Sequence, residues 1–570
     1  MPIIGDLFNP IKVDIHQFYG IEINDFAVAT ATTALWIAEA QMMAETEKRL
    51  RINLDFLPLK SYHNIIEGNA LSMDWGDLSI PDDETTTIIA GNTHLYRTPP
   101  QVGEFRDPVV RYGNINLYTE NMDFNPKELN SIHVDFDYII GNPPFVGARW
   151  MSKEQKADVI DVFGAKWPGV GDLDYVCCWY KKAADYIEDT KTRCALVSTN
   201  SVTQGSSVAN LWKPLMEDYG VHIDFAWRTF RWDSEASQKA HVHCVIVGFS
   251  TVENDRPRLV YNADGRTEEA SNISPYLIDS DNVFIESRNK PICEIPEIGI
   301  GCQIIDDGNF LFDKDSKDVF IAKEPESAPF FHQIFGSEEF INRKPRYCLW
   351  LGNCSPAQLR KMPECLRRVE NVKIFRSSSK RSATVKLADK PTHFGTENMP
   401  TSDYIIIPRV SSEKRMYIPI GFLTPNTFTS DSAHIIPNAT IYHFGILTSN
   451  VHNAWTRVVC GRLKSDYRYS KDIVYNNFPW PAPTDAQKAR IEQTARAILD
   501  ARALYPDCSL VDLYDDVTMP PELRKAHQEN DKAVMEAYGF DWRTMSESEC
   551  VAELFKMYQK LTEKKIEPLK

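Results

Sequence analysis

Four consecutive residues, Asn142-Pro143-Pro144-Phe145, combine an amide, two fixed backbone angles and an aromatic ring directly after an apolar run, Tyr138-Ile139-Ile140. A strand that only had to stop would need one turn residue; two prolines hold the backbone in one direction. The chemistry that uses such a loop is methyl transfer to an exocyclic amine of a base. The lone pair of that nitrogen is delocalised into the ring. Two acceptors on its hydrogens, the Asn142 side-chain oxygen and the Pro143 carbonyl, localise it toward an incoming methyl group. Phe145 supplies a flat surface for a base taken out of its duplex. Stacking, at about 1–3 kcal/mol per base, offsets much of the few kcal/mol that flipping costs. The plain alternative is a tight turn with a core phenylalanine, and four residues alone do not decide between them.

Two further residues close strand-like runs. Glu22 ends "FYGIEI", where a carboxylate accepts hydrogen bonds from both hydroxyls of a ribose, and where it equally serves as an acid near a helix N-terminus. Asn69 ends "IIEGNAL", where an amide pairs with a purine edge or forms a turn after Gly68. In an open α/β sheet the ligand crevice lies at the C-terminal ends of the strands, so the three sites together describe a nucleoside-binding rim followed by a reactive loop.

The elements that must position these residues alternate over residues 15–250. A strand over "QFYGIEI", a helix from Asn24 to about Lys48, strands over "HNIIEGNAL" and "FDYIIGNPP", helices near 152–163 and 172–188, a strand over "RCALVST", a helix near 206–218 and two closing strands give the rhythm of a doubly wound α/β sheet. The closing strands, "VHIDFAWRTF" and "HVHCVIVGFST", are too close together for a crossover helix and are expected to pair antiparallel at the sheet edge. After about 285 the rhythm dissolves into short strands and prolines up to 482. From Thr484 onward, capped helical patterns form a tail read as an appendage. The expected boundaries are 1–285, 286–482 and 483–570.

At 570 residues, 43% of them hydrophobic, the chain can bury several cores. No run of about 18 apolar residues and no signal-peptide order at the start suggest a soluble protein of the cytoplasm. The 12 cysteines include no Cys-x-x-Cys pair, so buried thiols are expected, without disulfides or a metal site. A net charge of -16 opposes indiscriminate nucleic-acid binding. Between Arg343 and Lys386, however, Lys and Arg outnumber two acids, Glu364 and Glu370, by ten. That concentration suits a polyanionic partner, with Arg376, Lys380 and Arg381 as contacts, against the alternative of a solvated basic face.

With these motifs in view, "GNPPF" after "FYGIEI" and "GNAL" resembles the amino-methyltransferases that modify adenine N6 in DNA with S-adenosylmethionine. The resemblance implies a class I, Rossmann-like methyltransferase sheet. Glu22 then contacts the cofactor ribose and Asn69, with Ala70, its adenine, while residues 142–145 hold the target base. "DLDYVCCWYKKAADY" and "CALVSTNSVTQG" look like later motifs of that fold, placing Asp172 at the cofactor and Tyr175 at the target pocket. "FRWDSEASQKAHVHCVIVGF" is similar to the motif whose aromatic, Phe230 or Trp232, packs beside the flipped base. Residues 453–481, "NAWTRVVCGRLKSDYRYSKDIVYNNFPWP", resemble the end of the target-recognition domain in MmeI-like, or type IIL, restriction-modification enzymes. Arg457, Arg462, Lys464, Tyr467, Arg468 and Lys471 suit phosphate contacts there, and an internal ion-pair network equally well. The partner implied is double-stranded DNA, read by an irregular α+β recognition domain followed by the helical tail.

One departure stands out. The glycine-rich cofactor loop of that family precedes "FYGIEI", yet residues 1–17 contain no Gly-x-Gly, and no nuclease segment is recognised. The chain reads as an N-terminally truncated portion whose missing strand a partner chain would supply. The alternatives are a catalytically silent DNA-recognition fragment and a protein or RNA methyltransferase.

Overall fold

The computed structural model describes residues 13–51, 64–78, 132–133, 135–233, 241–253 and 256–563. It divides into two compact units, 1–137 and 138–570. In the first, β1 (Gly20–Glu22) runs parallel to β2 (Ile65–Glu67), with Gly20 opposite Ile65 and Glu22 opposite Glu67. Helix α1 (Asp25–Leu50) lies between them in sequence. Its start is set by Asn24, whose side chain accepts the Ala27 N–H at 2.9 Å. Strands β3 (Asp77–Leu78) and β4 (Ile132–His133) pair antiparallel. Residues 1–12, part of the stretch lacking a Gly-x-Gly, lie outside the described residues.

The second unit opens with a six-stranded mixed sheet of β5 (Tyr138–Gly141), β6 (Arg193–Thr199), β7 (His222–Asp233), β8 (His241–Ser250), β9 (Arg258–Tyr261) and β10 (Thr267–Ala270), in the order β10-β9-β7-β8-β6-β5. Strand β6 alternates half-buried and buried residues along its length, as one well-covered face requires. Helices α2 (Lys153–Phe163) and α3 (Cys177–Ile187) connect β5 to β6. Spacing on α3 buries Cys177, Tyr180, Ala184 and Ile187 on one stripe. The Tyr180 ring stacks on Phe249 at 5.4 Å and shares a 2.8 Å hydrogen bond with Ser198. Strands β7 and β8 do pair antiparallel, but not at the edge: β9 adds parallel to β7, and β10 follows. The sequence pattern ends the sheet one hairpin early because "RLVY" and "TEEA" are four residues each and carry little periodicity.

Residues 299–468 build three smaller sheets. One comprises β11 (Gly299–Ile300), β19 (Ala433–Pro437), β15 (Tyr404–Pro408) and β17 (Gly421–Leu423); another β12 (Leu311–Phe312), β14 (Arg346–Leu349), β13 (Phe331–Phe335) and β18 (Thr427–Thr429); the third β16 (Val410–Ser411), β21 (Asp466–Arg468) and β20 (Gly461–Leu463). Every residue of β15 is buried, consistent with cover on both faces. A second core gathers Cys302, Phe310, Phe312, Leu349, Val372 and Phe394 beneath helix α4 (Pro363–Ser377).

The terminal helices are packed more closely than an appendage would be. Helices α5 (Asn450–Val459), α6 (Asp485–Ala503), α7 (Pro521–Tyr538) and α8 (Glu547–Glu563) share one interior. There Trp455 meets Phe555 at 5.7 Å, and Arg502 donates to the Ile420 carbonyl at 2.7 Å. All 12 cysteines are free, most of them buried. Among the described residues no helix is long and apolar enough to cross a membrane, and no cluster of metal-ligating side chains occurs.

This interior makes stability depend on pH. Burial pushes His434 down to about 4, with Arg409 adding to the effect, and His452 down to about 3; it depresses His527 as well, with help from Arg502. Below an unfolded pKa of about 6.5 the unfolded chain binds protons that these folded imidazoles refuse, so their contribution is present above that pH and lost on acidification. Asp531 opposes them. Burial raises it to about 7, so its contribution is full below about pH 4 and lost as pH rises toward 7. With three groups against one, at about 1.4 kcal/mol per pH unit each, urea midpoints should fall between pH 6.5 and 5. Asp531→Asn should steepen the fall; a flat profile in the parent chain would refute this account.

Candidate functional site

The Asn142–Phe145 loop leaves β5 at the C-terminal end of the β5–β6 pair, where Gly141 lies opposite Leu196. Pro143 is buried, Phe145 half-buried, and Asn142 and Pro144 are exposed. The first proline acts as a foot in the protein, and the amide faces outward beside it. Among the described residues the Asn142 side chain has no hydrogen-bond partner, which leaves its oxygen available to a ligand.

The segment after the motif is tied down at three points. The Val146 carbonyl accepts the Tyr175 N–H at 2.9 Å, and Trp150 closes a turn onto the Gly147 carbonyl at 2.8 Å. Asp174 accepts the Ala148 N–H at 2.9 Å with one oxygen and the Ser201 hydroxyl at 2.6 Å with the other. Ser201 lies two residues past the end of β6, so one carboxylate joins the segment after Phe145 to the end of the neighbouring strand. Asp174 is not among the residues that the sequence singles out: its two partners are 26 and 27 residues away, and only its place two residues after Asp172 hints at a role. Asp174→Ala should remove the acceptor of two half-buried donors, the Ala148 N–H and the Ser201 hydroxyl, at about 1 kcal/mol each. The expected result is at least a tenfold loss of turnover with DNA affinity unchanged; wild-type turnover would remove Asp174 from the site.

Tyr175 requires a correction. Only 6% of it is exposed, and its hydroxyl donates to Asp158 on α2 at 2.6 Å, while the ring meets Trp179 edge-on at 5.3 Å. Burial and the Asp158 carboxylate push its hydroxyl pKa well up. Its backbone anchors the loop, but its ring is inside the fold and not on a pocket wall. Asp172 is exposed at the end of the turn Val170–Asp172. Phe230 lies opposite Cys244, which is itself opposite Thr199 at the end of β6. The register therefore brings Phe230 to the same end of the sheet as Asn142. Trp232 is 45% exposed, with its ring 6.1 Å from that of Phe230.

In the first unit, Glu22 and Asn69 follow the same logic on adjacent parallel strands. Glu22 is the last residue of β1, and its carbonyl accepts the Gly68 N–H at 2.8 Å. Asn24 caps α1, and Glu22 lies two residues before it. The Asn69 side-chain oxygen accepts the Leu71 N–H at 3.0 Å, so the turn-forming reading of this residue is realised. The Ala70 carbonyl accepts the Trp75 indole N–H at 2.8 Å.

The basic region separates into structural and free charges. Arg376, expected to face DNA, does not. It is fully buried, and its guanidinium donates to the carbonyls of Ile305, Leu387, Lys390, Ile304 and His393 at 2.8–3.1 Å. Arg343 donates to the carbonyls of Tyr505 and Pro506, Arg346 pairs with Glu339 and Arg367 with Glu364. Lys380 and Arg381 are exposed, without ion pairs among the described residues. Further on, Arg457 makes a bidentate pair with Glu547 at 2.8 Å, an internal link and not a phosphate contact. Lys471 lies 3.4 Å from Asp472. Arg462 donates to the Ser465 carbonyl at 3.0 Å and covers the Tyr467 ring at 4.0 Å. Lys464 and Arg468 are exposed.

Three family models match the chain end to end: "MmeI, DNA-methyltransferase domain" over residues 4–262, "MmeI, target recognition domain" over 279–482 and "MmeI, C-terminal domain" over 483–566. A solved structure of the type IIL restriction-modification enzyme MmeI in complex with DNA is 39% identical, with a TM-score of 0.77 over 97% of this chain and 67% of that one. DNA methyltransferase A of Bacillus subtilis (strain 168) is 35% identical over 563 residues. That alignment takes in 99% of this chain and 58% of the relative, so the chain spans little more than half of that protein's length. The class so defined joins a mixed α/β methyltransferase domain to a target-recognition domain and a helical C-terminal domain. The chain belongs to the MmeI family.

Proposed function

We propose that the chain is the methyltransferase and target-recognition portion of a restriction-modification enzyme, transferring a methyl group from S-adenosylmethionine to adenine N6 at a specific site in double-stranded DNA. The observation that carries this reading is the outward Asn142 amide on a loop anchored by Pro143 and Asp174, with the Phe230–Trp232 pair at the same end of the sheet. Glu22 and Asn69, at the ends of two paired parallel strands, suit the ribose and adenine of the cofactor, with Ala70 and Asp172 as further contacts. Lys380, Arg381, Lys464 and Arg468 suit the phosphates. A cytoplasmic location accords with a genomic substrate.

The test is transfer of labelled methyl groups to duplex DNA, followed by digestion to nucleosides. Label in N6-methyladenine is expected; label confined to cytosine, RNA or protein would overturn the assignment. A second reading, DNA recognition without catalysis by these 570 residues alone, is favoured by β5. Among the described residues β5 is the sheet edge, and its Tyr138 and Ile140 are 74% and 81% exposed, an arrangement that invites another strand. Calorimetric titration separates the readings, since micromolar cofactor binding by the isolated chain would exclude the second.

A further inference from the structure

Arg149 lies in the turn that closes the reactive loop, and its neighbour Ala148 is the residue held by Asp174. Ser201, the other partner of Asp174, belongs to the segment that follows β6. Four residues later that segment meets the end of α5 and the start of the β20–β21 hairpin: the Gly205 N–H donates to the carbonyl of Val459, the last residue of α5, at 3.0 Å. A Cβ on Gly205, which has φ +60°, would stand 3.4 Å from the Gly461 Cα, so the two backbones approach closely. Arg468 is on that hairpin, opposite both Gly461 and Val410, and Arg409 is the residue before Val410. One short segment thus fixes the hairpin and the reactive loop to each other.

Arg149, Arg409 and Arg468, carried on these linked segments, lack a counter-charge among the described residues. Arg409 donates to the Asp431 carbonyl at 2.8 Å, but none of the three has a carboxylate partner among the described residues. Nearby, Arg462 has Glu413 at 3.9 Å and Arg457 has Glu547, so the neighbourhood does not lack acids. Although Arg468 is exposed, partial desolvation of its guanidinium and then the charges of Arg149 and Arg409 hold its pKa below the ordinary value. Clustered like charges cost free energy unless an anion joins them, and guanidinium forks match phosphate oxygens in geometry.

We propose that Arg149, Arg409 and Arg468 form a clamp for one DNA phosphodiester beside the target nucleotide. The clamp rests on the DNA reading above and extends it: it sets the backbone at the mouth of the site, so that the base leaving the duplex arrives at Asn142. A phosphate contact of this kind carries no sequence information; it fixes register.

The experiment measures duplex binding by the full chain against salt concentration for the parent, Arg149→Gln, Arg468→Gln and Arg468→Lys, together with a scan of single uncharged methylphosphonates around the target site. Each Gln variant should reduce the slope of log K against log salt by about 0.9, with melting temperatures unchanged, and Arg468→Lys should retain it. One methylphosphonate position that weakens the parent should have no effect on Arg468→Gln. Unchanged slopes, or a fall in melting temperature with unchanged slopes, would overturn the clamp while leaving the DNA reading intact. Absence of salt-dependent binding by the parent would overturn both.

Discussion

Asn142→Ala should lose between a hundredfold and a thousandfold in methyl transfer and almost nothing in DNA affinity. Removing one preorganised group that acts on charge developing in the transition state costs about 2.7–4 kcal/mol. The amide oxygen has no partner within the chain among the described residues, so alanine leaves no unsatisfied group and folding should be unaffected. The loop stays in place because Pro143 is buried and Asp174 holds residue 148. The decisive measurement is single-turnover labelling of duplex DNA by a cofactor-competent enzyme. Equal rates for parent and variant would mean that the amide does not touch the reacting nitrogen, and that the prolines serve only a turn.

The Asn142–Phe145 loop is legible as a structural feature in the sequence because its information is local: an amide, two prolines and an aromatic ring sit side by side after an apolar strand. The strands and long helices are legible for a similar reason, since α1, α6 and α7 carry caps and periodicity within their own sequences. What the sequence hides depends on contacts between distant residues. Asp174 matters through Ala148 and Ser201, and no spacing rule links the three. Tyr175 belongs by resemblance to a pocket motif, yet its burial depends on α2, whose Asp158 takes its hydroxyl. Arg149 and Arg409 carry no signal because each is an ordinary surface-type residue in its own segment. The link between their segments runs through Asp174, Ser201 and the Gly205–Gly461 approach.

Charge counting fails most plainly at Arg376, for the same reason, and that failure sets up the second large effect. The sum over residues 343–386 treats Arg376 and Lys380 alike, yet one is fully buried and the other exposed. Arg376→Met should unfold the region, lowering stability by about 3–5 kcal/mol, because it removes the donors to five carbonyls in a place that water does not reach. Those carbonyls belong to two separate segments, residues 304–305 and 387–393, so the loss also unfastens α4 from the chain on either side of it. Against a typical total of about 5–15 kcal/mol for a domain, such a loss is visible as a large fall in the melting transition. Lys380→Glu with Arg381→Glu should do the reverse, leaving melting unchanged while weakening DNA binding and flattening its salt dependence. Calorimetric melting of both variants, set beside their binding curves, separates the two roles. If Arg376→Met melts with the parent and the Lys380/Arg381 variant does not, the division between structural and DNA-facing charge is wrong.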